Sequence, residues 1–309
     1  MTHFSAPLRG LFAATFTPLR TDGSLELAKI APMVDFLVGQ KIAGLYVLGS
    51  TGEGILLTQQ ERQQVAEEFV RAAAGRLPVI IQVGSESITA ARELAVHAQQ
   101  IGADSISAVS PLYFKPDSVE TLVESMAVIA AGADRLPFFY YHIPALTGVA
   151  FDMLRFLELG SQQIPTLRGI KFTSPLVHEY QACVEYEDGK YDILWGSDEM
   201  LLSGLSAGGT AAVGSTYNYA APIYQRLLTA FAEGRLEAAR SFQSQAQAMV
   251  RAFVPFGPRA AQKAIMAMVG WDCGPPRLPG KPLAAEKFSA LREQLEAQSF
   301  FAEVDASPV

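Results

Sequence analysis

The chain has 309 residues, half of them hydrophobic and 18% charged, with a formal net charge of −7. That balance, with no basic run, argues against a nucleic-acid partner, and no apolar run is long enough to cross a membrane. The length suits either two domains or one α/β barrel of about 250 residues with an extension. Cys183 and Cys273 lie far apart and match no metal spacing, so they read as reduced thiols. The first ten residues lack the charged start and apolar centre of a secretory signal. A cytoplasmic protein is expected.

Strand-like and helical stretches alternate along the chain. Residues 10–17 are apolar and stop at Pro18, and residues 25–40 have helical periodicity. Residues 42–49 form a second apolar run. Thr58 and Glu61 have capping-box spacing, so a helix should run from there to Ala74 and stop at Gly75. The pattern continues with strands at 78–84, 105–110, 137–143, 167–173, 192–196 and 210–216. Between them lie helices at 89–100, 119–131, 151–159, 176–185 and 199–207, and Pro222 marks a helix start leading into 223–232. Eight such units, with strands apolar on both faces, predict a closed (β/α)8 TIM barrel over residues 1–232. Three further helices, at 236–253, 260–269 and 284–298, predict a C-terminal helical extension over 233–309. No linker separates it, so one structural unit is expected.

In such a barrel the chemistry sits at the C-terminal ends of the strands. The second strand runs into Gly49-Ser50-Thr51-Gly52-Glu53-Gly54. Its glycines permit close backbone approach to a ligand, and its N–H groups can cradle a carboxylate or phosphate; a plain glycine turn is the alternative. Phosphate-loop spacing is absent. Tyr113 follows the fourth strand and Tyr141 lies near the end of the fifth. Either can be a rim residue or a proton relay. On the sixth strand Lys171 stands between Ile170 and Phe172. A lysine there either snorkels to water or points into a cavity, where desolvation turns the amine into a nucleophile toward carbonyls. Period-two alternation places Gly169, Lys171 and Thr173 on one face; if that face is inward, the glycine leaves space beside the amine. Asp198 and Glu199 after the seventh strand have no histidine partner. They suit polyol hydroxyls better than a metal, or they offset a helix dipole. His3, His97, His142 and His178 share no motif, and His97 reads as structural.

Taken in order, GSTGEG at Gly49, SPLYF at Ser110, YYHIPALTGV at Tyr140, GIKFT at Gly169 and GSTYNY at Gly214 resemble the N-acetylneuraminate lyase and dihydrodipicolinate synthase family of class I pyruvate aldolases. The likeness covers nearly the whole chain. The run Gln262-Lys263-Ala264-Ile265-Met266 and the run Gly274-Pro275-Pro276-Arg277-Leu278-Pro279 look like the lyase branch. The synthase branch usually carries an arginine five residues after the catalytic tyrosine. Here that position is Leu146, so a second carboxylate on the aldehyde partner would lose its guanidinium fork.

The resemblance implies that Lys171 forms a Schiff base and Tyr141 shuttles the proton of the cleaved bond. Ser50 and Tyr113 would complete the relay, with that tyrosine entering from a neighbouring subunit. Ser50 and Thr51 would hold the substrate carboxylate, and Thr173, Gly196, Asp198, Glu199 and Ser215 would line the polyol tail. The implied reaction is reversible cleavage of N-acetylneuraminate to N-acetylmannosamine and pyruvate. The alternative is a related aldolase or dehydratase acting on another 2-keto-3-deoxy sugar acid. A sugar-acid binding protein is a non-enzymatic reading, though simple binding needs neither Lys171 nor Tyr141. An iminium is its own electron sink, so no cofactor or metal is expected. A Schiff-base lysine must be lowered from about 10.4 toward about 7–8. The family implies a homotetramer built as a dimer of dimers.

Overall fold

The computed structural model describes residues 7–305; His3 and the other residues of 1–6, and residues 306–309, lie outside the described residues. Eight parallel strands close in sequence order into a barrel. They are β1 (Gly10–Ala14), β2 (Gly44–Val47), β3 (Val79–Gln82), β4 (Ser105–Val109), β5 (Phe138–His142), β6 (Leu167–Phe172), β7 (Asp192–Trp195) and β8 (Ala211–Gly214). β8 closes on β1 with Gly10 opposite Ala211. Period-two alternation divides each strand between two cores. Phe12, Ala14, Tyr46, Ile80, Phe139, Tyr141 and Val213 fill the barrel. Leu11, Ala13, Ile170 and Phe172 face the surrounding helices.

Those helices are α1 (Ile30–Gly39), α2 (Gln59–Ala73), α3 (Ile88–Gln100), α4 (Val119–Ala130), α5 (Pro144–Thr147), α6 (Met153–Gln163), α7 (Val177–Glu185), α8 (Leu201–Ser206) and α9 (Tyr217–Ala232). The capping box opens α2: Thr58 Oγ1 accepts from the Glu61 N–H and the Glu61 carboxylate from the Thr58 N–H. Three details differ from the expected pattern. The stretch 25–40 holds a 3-10 turn, Leu27–Lys29, ahead of α1. The single-turn α5 has too few residues for a periodic signature. A helical stretch from Tyr217 precedes the expected start of α9; the chain departs from helical geometry at Ala220 (φ −128°), and Pro222 lies in the first turn of the segment that follows. A proline removes one backbone bond and crowds the preceding turn, which accounts for the local break there.

Gly169 also has a different purpose from the one expected. A β-carbon on it would lie 1.8 Å from the Asp192 carbonyl oxygen of β7. The missing side chain admits the neighbouring strand; it does not open space for Lys171.

The extension comprises α10 (Leu236–Phe253), α11 (Pro258–Met268), α12 (Ala285–Ala297) and a final short helix, α13 (Phe300–Asp305). It is fastened to the mouth of the barrel by charge. Lys263 Nζ lies 2.9 Å from Glu53 Oε1, and both side chains are almost wholly buried. The ammonium also donates to the carbonyls of Thr17 and Pro275. The other Glu53 oxygen accepts from the Arg277 N–H, and the Arg277 guanidinium grips both oxygens of Glu61. Those hydrogen bonds from Arg277 hold the Glu61 carboxyl down to about 2. Removing one member of a buried ion pair strands the other charge, at a cost of about 3–5 kcal/mol. Lys263→Met should therefore lower the urea-unfolding midpoint sharply, and Glu53→Gln in the same chain should restore part of the loss. An unchanged midpoint in the single variant would show that the pair does not hold the extension.

Candidate active site

At the C-terminal mouth of the barrel lies a cavity of about 280 Å³ lined by Ser50, Thr51, Tyr141, Lys171, Thr173, Gly196, Asp198, Glu199 and Ser215. All the site residues expected from sequence meet there except Tyr113. The reason is topological: each side chain stands at or just beyond the end of its strand on the inward face. Tyr141 and Lys171 are register partners on β5 and β6. Side chains on one face of adjacent strands stand about 5 Å apart, so barrel closure itself sets the Lys171 amine beside the Tyr141 phenol.

Lys171 is 4% exposed. Its Nζ lies 3.9 Å from the centroid of the Tyr141 ring and 4.1 Å from that of Tyr46. Among the described residues no carboxylate comes within ion-pair distance of it. Two ring faces attract a cation without accepting its proton. They stabilise the positive charge of an ammonium and of an iminium alike.

Tyr141 Oη and Ser50 Oγ are 3.4 Å apart. Tyr46 was not singled out from the sequence, although period-two alternation on β2 points it inward. Its hydroxyl donates to Ser107 Oγ, and burial followed by the neighbouring Tyr141 pushes its phenol well up. It is therefore a protonated wall, edge-on to Tyr141 with ring centroids 5.7 Å apart.

The GSTGEG loop splits into two faces. Ser50 and Thr51 look into the cavity, while Glu53 turns away to Lys263. A β-carbon on Gly54 would lie 2.0 Å from the Leu48 carbonyl oxygen. This glycine serves the folding of the loop on itself, not approach to a ligand.

Asp198 and Glu199 lie in a 3-10 turn, Asp198–Met200, that precedes α8. Asp198 is buried, and its carboxylate accepts from the backbone N–H and the hydroxyl of Thr216 at 2.8 and 2.6 Å. Burial pushes this carboxyl up to about 6, against those two hydrogen bonds, which pull it down. Glu199 is exposed at the cavity edge. The turn is held from the extension, where Gln243 Nε2 donates to the Asp198 carbonyl and Gln247 Nε2 to that of Glu199.

Tyr113 stands apart. It is 81% exposed and touches Phe114 edge-on. The Glu86 carboxylate clamps its backbone, accepting from the Leu112 and Tyr113 N–H groups at 2.7 and 3.1 Å. Within one chain nothing brings it to Tyr141. His97 pairs with Glu67 on the helical surface, and His142 is buried on the outer face of β5, its ring held down to about 4 by burial. Thr216, Gln262 and an apolar wall of Val250, Phe253 and Val254 also line the cavity. None of these was assigned a role from sequence, although Gln262 and Thr216 lie within the motifs at 262–266 and 214–219.

A model of the dihydrodipicolinate synthetase family matches residues 7–298. The mouse N-acetylneuraminate lyase is 40% identical over 291 residues, covering 93% of this chain and 91% of that protein. The solved N-acetylneuraminate lyase of Proteus mirabilis superposes with a TM-score of 0.93 at 41% identity, over 96% of this chain and all of that one. A catalytic-lysine mutant of the Ruminococcus gnavus sialic acid aldolase superposes at 0.89 with 27% identity, over 96% of this chain and 97% of that one.

The folded protein holds the Asp198 proton more tightly than the unfolded chain does, so the group binds more protons when folded. Its contribution to stability is present below the ordinary carboxylate range and is lost as pH rises through about 6. Asp198→Asn removes that titration. The variant should gain on wild type by about 3 kcal/mol between about pH 4 and 6, read from urea unfolding at a series of pH values. A constant difference across that range would refute the raised carboxyl.

Proposed function

The chain belongs to the dihydrodipicolinate synthetase family, and we propose that within it the protein is a class I aldolase that reversibly cleaves N-acetylneuraminate to N-acetylmannosamine and pyruvate. Relatives of that activity share about 40% of its residues over most of its length. The observation that carries the mechanism is the placement of Lys171: buried, between two tyrosine rings, and in register with Tyr141.

The Lys171 amine adds to the keto carbon of the open-chain sugar acid, and loss of water gives an iminium. Tyr141 takes the proton from the hydroxyl on the carbon about to leave as its own phenolic proton passes to Ser50, and the same relay returns a proton for the enamine carbon. The carbon–carbon bond breaks with its electrons moving into the iminium, which gives an enamine and the free aldehyde. Protonation of the enamine carbon and attack of water then release pyruvate and regenerate the amine. Ser50 and Thr51 hold the carboxylate through hydroxyl and N–H groups. Thr173, Gly196, Asp198, Glu199 and Ser215 receive the polyol, with the two carboxylates accepting from its hydroxyls. Leu146, at the place of the synthase arginine, is 62% exposed and outside the cavity lining. The site thus offers no guanidinium there to a second carboxylate.

Tyr113 completes the relay from a neighbouring subunit. Its exposure and its clamped backbone support that role, and a dimer is then the smallest complete unit of a tetramer. Among the described residues no helix is long and apolar enough to cross a membrane. Cys183 and Cys273 are buried and free, each thiol pushed up to about 12 by burial. Two distant unpaired cysteines accord with the cytoplasmic location proposed here.

Pyruvate plus borohydride should attach a single reduced adduct to Lys171, and Lys171→Ala should lower pyruvate release from N-acetylneuraminate by roughly 10⁴-fold or more. Activity surviving in that variant would overturn the mechanism. Tyr113→Phe and Lys171→Ala should each be nearly inactive alone. Dissociated and reassociated together they should regain part of the wild-type rate, since some mixed interfaces then hold one intact site. No recovery in verified hybrids would remove Tyr113 from the neighbour's site.

A further inference from the structure

We propose that Gln262 determines specificity for an acylamino substituent on the sugar acid, its side-chain N–H groups donating to the acyl carbonyl; this rests on the functional reading above. The geometry begins with the wall of the cavity that the barrel does not supply. Val250 and Phe253 on α10, Val254 just after it, and Gln262 on α11 line the same cavity as Lys171. This is the apolar side of the site, and Val254 keeps 47% of its surface exposed there.

Gln262 is the amide-bearing residue of that wall, and its orientation is fixed. Its Oε1 accepts from the Tyr219 hydroxyl at 3.1 Å. The Tyr219 phenol is buried and makes no other hydrogen bond among the described residues. Reversing the amide would leave that phenolic proton without an acceptor, which is unfavourable for a buried hydroxyl. The observed orientation therefore commits the oxygen to Tyr219. It leaves Nε2 with two donors and no acceptor among the described residues.

The other polar groups of the cavity suit different parts of a ligand. Ser50 and Thr51 suit a carboxylate, and Asp198 and Glu199 accept from hydroxyls. A fixed donor beside an aliphatic and aromatic surface suits a group that has a carbonyl oxygen at one end and a methyl at the other. A secondary amide presents both within one small substituent, and a bare hydroxyl presents neither.

The test compares two substrates in the pyruvate-release assay: N-acetylneuraminate, and the sugar acid that carries a hydroxyl in place of its acetamido group. Gln262→Leu keeps the bulk and removes the donor. It should lower kcat/KM on N-acetylneuraminate about tenfold, the worth of one such hydrogen bond, and by less than about twofold on the hydroxyl analogue. Tyr219→Phe unties the amide and should produce a smaller shift of the same sign. Borohydride trapping of pyruvate on Lys171 should match wild type in both variants, which excludes general damage to the fold. Equal losses on the two substrates, or no loss on either, with wild type active would overturn the proposal alone. A wild-type protein unable to cleave N-acetylneuraminate would overturn the functional reading and this proposal with it.

Discussion

The carboxylate of Glu53 is the point on which the mouth of this barrel depends. It is buried, it belongs to the loop that carries Ser50 and Thr51, and both its oxygens are held by the extension. One pairs with Lys263 and the other accepts from the Arg277 N–H. Glu53 itself is left-handed, at φ 56°, a conformation a non-glycine residue keeps only where its surroundings over-determine it. An isolated buried carboxylate would cost several kcal/mol. The loop therefore holds this shape only with α11 and the segment 273–277 in place. On these contacts we propose that, among the described residues, the barrel up to 232 and the extension from 233 form one structural unit.

The same economy of charge governs the site. The Lys171 side-chain nitrogen lies over two tyrosine rings, and the buried carboxylate of Asp198 is satisfied by Thr216. Were Asp198 to pair with Lys171, each would neutralise the group the other is needed for. In the proposed reaction, separating them leaves the amine to react and the carboxylate to accept from substrate hydroxyls. Burial raises the Asp198 carboxyl, and the hydrogen bonds from Thr216 and the charge of Lys171 offset that only in part.

The barrel was legible because its signals are local. Proline and glycine stops bound the strands, the capping box at Thr58 opens α2, and alternation on β6 puts Lys171 inward. The extension's first helix was read with its boundaries intact because 18 residues give five turns of periodicity. What escaped is what depends on distant residues. Glu53 reads locally as part of an anion cradle, and only the folded chain reveals Lys263 beneath it. Gly169 reads as space beside a lysine until β7 is laid against it. Tyr46 looked like ordinary strand content because its meaning comes from an amine on another strand. Tyr113 is the reverse: its motif is recognisable, yet one folded chain gives its ring nothing to act on but Phe114.

Those differences follow a division within the site. Of the residues assigned to bond breaking, Lys171 and Tyr141 sit on β6 and β5, where hydrogen-bonded register sets them side by side and leaves little freedom. Apart from Ser50 and Thr51 after β2 and Thr173 after β6, the residues assigned to the rest of the substrate sit on the loops after β7 and β8 and on α11. These surfaces pack against the barrel without setting the register of β5 and β6. A change at Gln262 or Val254 alters which tail is welcome while the distance from amine to phenol stays as the strands dictate. A change at Gly169 does the opposite, since any side chain there meets the Asp192 carbonyl and disturbs the strand that carries the lysine. Under the proposed mechanism, substrate preference is therefore free to vary on this scaffold while the spacing of Lys171 and Tyr141 is held constant by the barrel.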